Sequence, residues 1–107
     1  MSGEVPFLVD YDPATREHLA CIASKYHSLI RSETYGQLRF TPDVTTRNRK
    51  PLKEPVVPGA DWELRLGPDN RYRVFYRIDL QLRQVTVLAI GVKERQRILV
   101  GGKQVAP

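Results

Sequence analysis

A single cysteine, Cys21, stands in 107 residues, so no disulfide can form within the chain. A lone thiol fits a reducing compartment more easily than an oxidising one. Long apolar runs are missing as well. No stretch approaches the roughly 20 residues that a membrane-spanning helix needs, so no membrane role is expected. The opening "MSGEVPFLVD" has neither a basic start nor an extended apolar segment. A secretory leader is therefore not expected, and the cytoplasm is the expected location. Only two histidines occur, His18 and His27, on roughly opposite sides of what reads as one helix. They form neither a metal pair nor a catalytic dyad, and with one cysteine no metal or other cofactor is expected. The glycines of "LVGGK" lack the strand–loop–helix setting of a phosphate loop, and no Ser/His/Asp constellation is present.

What is abundant is positive charge, and it is unevenly placed. The net charge is +5, yet residues 1–46 hold 4 Lys/Arg against 6 Asp/Glu, while residues 47–107 hold 13 against 6. That asymmetry separates a half suited to a polyanion from a half that is not. A merely soluble basic protein would also show a positive total.

The length suits one domain, residues 1–107. "VPFLVDYD" (5–12) reads as a short first strand. Asp12 followed by Pro13 suits a helix start, since Asp accepts from unpaired N–H groups and Pro fits the first turn. Leu19, Ile22, Ala23, Tyr26, Leu29 and Ile30 then recur at spacings of three and four, which predicts one amphipathic helix of about five turns. "TYGQLRF" (34–40) reads as a further turn of it or as a second short helix broken at Gly36. Residues 41–60 contain Pro42, Pro51, Pro55 and Pro58 and no periodicity, so a long loop with extended pieces is expected. That loop carries Arg47, Arg49, Lys50 and Lys53. Three apolar-patterned runs follow at 62–66, 72–79 and 85–92, and "QVTVLAIGV" is apolar on both faces, as a central strand should be. Gly101 and Gly102 force a turn near the end. The order implies an α+β fold: an antiparallel sheet of about four strands with one or two N-terminal helices on one face.

The run "WELRLGPDNRYRVFYRID" (62–79) fixes a register by its side-chain alternation. A five-residue loop, 67–71, pairs Leu66 with Tyr72, Arg65 with Arg73, Leu64 with Val74 and Glu63 with Phe75. All apolar partners then share a face. A four-residue loop would set Leu64 against Arg73 and mix the faces. The preferred register puts two arginines opposite each other, which is mildly destabilising in a sheet. A bound polyanion turns such repulsion into charge-assisted contacts; long arginines splayed into solvent are the plainer explanation. Arg71 and Arg77 add to this hairpin, and "GVKERQR" adds Lys93, Arg95 and Arg97 beyond the last apolar strand. Together with the basic loop, these cations converge as a nucleic-acid backbone site would. Phe75 either stacks on an unpaired base or packs beneath the loop or a second helix.

"RYRVFYRID", "VTVLAIGV" and "GVKERQRI", with the N-terminal strand, the helix and the loop "RNRKPL", resemble the RelE/ParE superfamily of type II toxin–antitoxin toxins, the RelE-like branch in particular. The resemblance implies a small α+β fold with an antiparallel sheet, helices on one side and a basic concave surface on the other. It implies a metal-independent endoribonuclease that cleaves mRNA at the ribosome and inhibits translation. It also implies a cognate antitoxin partner and a toxin–antitoxin heterotetramer. Carried over residue by residue, the family's mid-strand arginine falls on Arg73, its basic neighbour on Arg65, and the basic pair after the last strand's glycine, Gly91, on Lys93 and Arg95. Two positions depart from the family. No tyrosine follows Tyr76, so the general base that many members carry there would fall near Leu99, and Glu63 occupies a second basic position.

Cleavage by the adjacent 2′-OH requires a base, stabilisation of a doubly charged phosphorane, and an acid for the 5′ oxygen. Arg65, Arg73 and Arg95 suit the second task and Lys93 the third. Glu63 and Glu94 are candidate acid/base groups, with a structural salt bridge to an arginine as the competing role. Arg47, Arg49, Lys50, Lys53, Arg71, Phe75, Arg77 and Arg97 complete the candidate RNA contacts. The rival readings are a ParE-like toxin that inhibits DNA gyrase without nuclease activity, and a non-catalytic nucleic-acid-binding relic.

Overall fold

The computed structural model describes residues 5–106. Its elements run β1 (Leu8–Tyr11), α1 (Thr15–Ala20), a 3-10 turn (Ser24–Tyr26), α2 (His27–Leu38), β2 (Arg49–Pro51), β3 (Trp62–Leu66), β4 (Tyr72–Asp79), β5 (Gln84–Glu94), β6 (Arg97–Val100) and β7 (Lys103–Ala106). The class is α+β, as expected, but the sheet is larger: seven strands among the described residues instead of about four. The strand order is β2-β3-β4-β5-β6-β7, with β1 beside β5. Every pairing along that path is antiparallel, whereas β1 runs parallel to β5.

The single long helix predicted from the spacing is two helices. α1 ends at Ala20, Ala23 is extended (φ −54°, ψ 132°), and a 3-10 turn restarts the chain before α2. The Ile22 carbonyl freed by this break is recovered by His27, whose Nε2 lies 2.8 Å from it. The apolar period survives the break because α1 and the linker bury Leu19 and Ile22, while α2 buries Ile30, Thr34 and Leu38 one turn apart. Asp12 does start the helical region: its Oδ1 accepts from the Ala14 N–H at 2.9 Å, and its carbonyl takes the Thr15 N–H and hydroxyl. Gly36 lies inside α2 and does not break it.

Loop 41–60 contains one element that its prolines argued against, the three-residue β2. Pro51 is its last residue, where β2 forms the sheet edge and no ladder needs that N–H. The three apolar runs become β3, β4 and β5, and the hairpin register is the five-residue-loop one at all five pairs, Arg65 facing Arg73 included. Gly67 makes that loop: its φ is +83°, and a Cβ there would lie 2.6 Å from Tyr72 Cδ2.

β5 is buried on both faces. Val85, Val87 and Ile90 join the larger core beneath the helices, with Leu64, Val74 and Tyr76. Ala89 joins a smaller core on the other face with Phe75, Ala60, Ile98 and Val100, roofed by Leu52, Val56 and Val57 of the long loop. Along one edge of β5, β1 pairs with residues 84–87 and β6 with residues 91–94. Ile90 falls between these two partners, and its N–H donates to His18 Nδ1 at 3.3 Å.

Two outcomes follow. Gly67→Ala forces strain at a positive φ together with a clash, and urea denaturation should show a loss of about 1–3 kcal/mol. Burial lowers the His18 pKa from its ordinary 6.5, against the raising influence of Glu17 and Asp12. A depressed histidine contributes stability that is present above the unfolded value and lost as pH falls toward the folded one. Thermal melts should therefore lose stability on acidification below 6.5, and His18→Asn, which keeps an acceptor but does not titrate, should show a smaller loss.

Candidate functional site

Period two decides which cations reach the open face of the sheet. In β3, Trp62, Leu64 and Leu66 point toward the helices, and Glu63 and Arg65 point away; in β4, Arg73 and Phe75 point away with them. β2 pairs Lys50 with Glu63 and Arg49 with Leu64, so Lys50 joins the open face while Arg49 turns under it. Lys93, two residues beyond Gly91 on β5, returns to the same side, and Gly91 itself lies across from Arg73. A Cβ at Gly91 would come within 3.1 Å of Ile98 Cγ2 and the Leu99 carbonyl, which explains why no side chain stands there.

The result is a cleft of about 650 Å³ whose charged lining is Lys50, Glu63, Arg65, Arg73, Lys93 and Arg97. Leu52, Val56, Ile98, Gln96 and Gln104 complete it. At its centre Glu63 is buried (4% exposed) and binds three cations: Arg73 Nη1 at 3.2 Å, Arg65 Nε at 3.5 Å and Lys50 Nζ at 3.7 Å. Arg73 is buried too, and its Nε donates to the Asn70 carbonyl at 3.2 Å. The opposed arginines are thus held apart by a shared carboxylate. Glu63 has the salt-bridging role rather than an open position from which to act as a base, because all its cationic neighbours already occupy its oxygens.

Several predicted contacts lie elsewhere. Phe75 is 0% exposed and packs under the loop, so its ring offers no stacking surface. Arg49 is 6% exposed, donating to the Gln37 carbonyl and to Thr41 Oγ1, and it ties β2 to the end of α2 instead of meeting solvent. Arg77 is exposed at the far end of β4 beside Gly59, and Arg47 and Lys53 are exposed in the loop outside the cleft lining. Arg95 and Glu94 are exposed at the β5–β6 turn, where Arg95 has φ 59°. With Arg71 they line a second cleft, on the helix side of the sheet. Lys93 lines both clefts. The sequence reasoning missed the Asn70 carbonyl, whose position in "GPDN" gives no sign that a left-handed Asn70 (φ 51°) aims it at Arg73. Among the described residues, no group of His, Cys, Asp and Glu is arranged to hold a metal ion.

No protein-family model and no curated protein matches the chain. Among solved structures, the crystal structure of the toxin–antitoxin complex RelBE2 from Mycobacterium tuberculosis is similar, with a TM-score of 0.66 and 26% identity. The match covers 83% of this chain and 100% of the compared one. This likeness bears out the RelE-like resemblance read from the sequence. Glu63, where the sequence departs from the RelE-like pattern, sits at the middle of the cationic cleft.

The Glu63–Arg73 pair should dominate local stability, because both partners are buried, whereas Lys50 is half-exposed. Glu63→Gln strands a buried guanidinium and should cost about 3 kcal/mol. Lys50→Ala should cost less than about 1 kcal/mol. Chemical denaturation measures both, and equal costs would refute the central role of the buried pair.

Proposed function

We propose that this protein is the toxin of a type II toxin–antitoxin system and acts as a ribosome-dependent, metal-independent mRNA endoribonuclease. The observation that carries the reading is the convergence of Lys50, Arg65, Arg73, Lys93 and Arg97 on one cleft of the open sheet face. An antitoxin partner is proposed from the likeness to a toxin–antitoxin complex.

The roles follow from burial and reach. Arg73 is fixed between Glu63 and the Asn70 carbonyl, so its charge is set in place before any substrate arrives. A cation that need not reorganise stabilises a developing phosphorane better than a mobile one. Arg65, Lys93 and Arg97 retain exposed surface and supply the direct phosphate contacts. Lys93, at the cleft's edge, is the proposed proton donor to the leaving 5′ oxygen. Glu63 is a positioning residue: it determines where Arg65 and Arg73 stand. The proposed base is an acceptor outside this carboxylate cluster, supplied by the substrate complex.

Arg73→Ala is a poor first test, since it leaves Glu63 buried beside a cavity and harms folding as well as function. Arg65→Ala and Lys93→Ala are better, because both side chains reach solvent. Inducible expression with primer extension on total mRNA should show cleavage by the wild type and about 10²- to 10³-fold less by either variant. Intact mRNA and unchanged growth, with folded protein present, would refute the nuclease reading. Intact mRNA with inhibited DNA supercoiling would favour the gyrase-directed alternative.

A further inference from the structure

The second cleft, about 640 Å³ on the helix side of the sheet, is walled by the 3-10 turn, the β3–β4 loop and the end of β5. Its charged lining is Lys25, Arg71, Lys93 and Arg95, with Asp69 and Glu94 partly offsetting them. Tyr26, half-buried, forms one wall and packs against Tyr72 with ring centroids 5.7 Å apart; Lys25 Nζ lies 5.2 Å from the Tyr26 ring centre. Two features join this cleft to the one on the open face. Lys93 lines both. The β3–β4 loop also grips both: its Asn70 carbonyl holds Arg73, and its Arg71 carbonyl accepts the Lys93 N–H at 2.8 Å. That loop keeps two consecutive non-glycine residues, Asp69 and Asn70, at positive φ (57° and 51°), as does Arg95 (59°) in the facing turn. Such backbone persists where the surroundings over-determine it and clusters at binding sites.

We infer that the second cleft is an RNA subsite: a single strand bound in the open-face cleft passes over Lys93 and places a flanking nucleotide against Lys25, Arg71 and Tyr26. This rests on the RNA reading above and adds to it a longer footprint. Cations spaced along a turn match a polyphosphate backbone, and a half-exposed tyrosine offers a ring edge to a base. The Lys25 ammonium over the Tyr26 ring is free to exchange that weak contact for a phosphate.

The test compares the affinity and salt dependence of non-cleavable single-stranded oligonucleotides of about four and about twelve nucleotides. The wild type should bind the longer one more tightly, with a steeper salt slope by roughly 0.7 for each added phosphate contact. Lys25→Glu should remove most of that gain, about fivefold or more, whereas Arg16→Glu, an equal charge change on α1 away from both clefts, should not. A photo-crosslinker on Cys21, the chain's one cysteine and an exposed residue of the cleft wall, should mark the longer oligonucleotide only. Tight binding of both lengths, with Lys25→Glu no different from Arg16→Glu and no crosslink, would overturn the subsite and leave the open-face cleft standing. Binding of neither length would overturn both. Crosslinking of the Cys21 probe to an acidic peptide, with no crosslink to either oligonucleotide, would assign the cleft to a protein partner and overturn the inference.

Discussion

The buried pair of Glu63 and Arg73 is the constraint on which the open face depends. Neither charge has much access to water, so each is tolerable only through the other and through the contacts around them. Glu63 spreads its two oxygens over Arg73, Arg65 and Lys50, which draws β2, β3 and β4 together on one side of the sheet. Arg73 also holds the Asn70 carbonyl, so the conformation of the β3–β4 loop is coupled to the same carboxylate. A cation cluster that would repel itself is thereby built around an internal anion. Facing arginines, unfavourable as an isolated cross-strand pair, become the two arms of one network.

The second face of that constraint is β5. It is apolar on both sides because helices cover one and the long loop covers the other. The loop's Leu52, Val56 and Val57 close over Phe75 and Ala89, and this small core forms the floor beside the cationic cleft. Where β5 passes from β1 to β6, residues 88–90 lie between the two partners, and His18 takes the Ile90 N–H there. Helix placement and sheet continuity are thus tied at a single imidazole.

The hairpin was legible residue by residue because alternation and loop length admit only one register that keeps the apolar side chains together. The central position of β5 was legible for the same reason. The sheet's size was not. β1 was read within 5–12, but β6 and β7 are four residues each and β2 three, too short for any period to declare itself. The helix break escaped because an apolar spacing of three and four continues smoothly across Ile22 and Tyr26, while the interruption lies in the backbone of Ala23. Within the site, Arg49 and Lys50 are adjacent and alike in sequence. Only the pairing of β2 with β3 sends one into a buried bond with α2 and the other into the cleft. Phe75 shows the reverse limit. Its face was assigned correctly by alternation, but alternation could not decide between an open ring and one covered by a loop without periodicity.

The position of Glu63 bears on how such a cleft would meet a phosphate. Three cations already share one carboxylate, so a substrate phosphate does not enter a field of bare charge. It meets guanidinium and ammonium groups already paired with Glu63 in the cleft lining. Arg73, fixed on two sides, has the least freedom to follow a ground-state phosphate, while Arg65 is better exposed. Under the proposed nuclease reading, that division would give binding to the exposed cations and selective stabilisation of the more highly charged phosphorane to the buried one. Catalysis benefits from interactions that strengthen only as charge develops, and a pre-positioned buried guanidinium meets that requirement. The internal carboxylate therefore lowers the cleft's raw positive charge and in return sharpens where that charge acts.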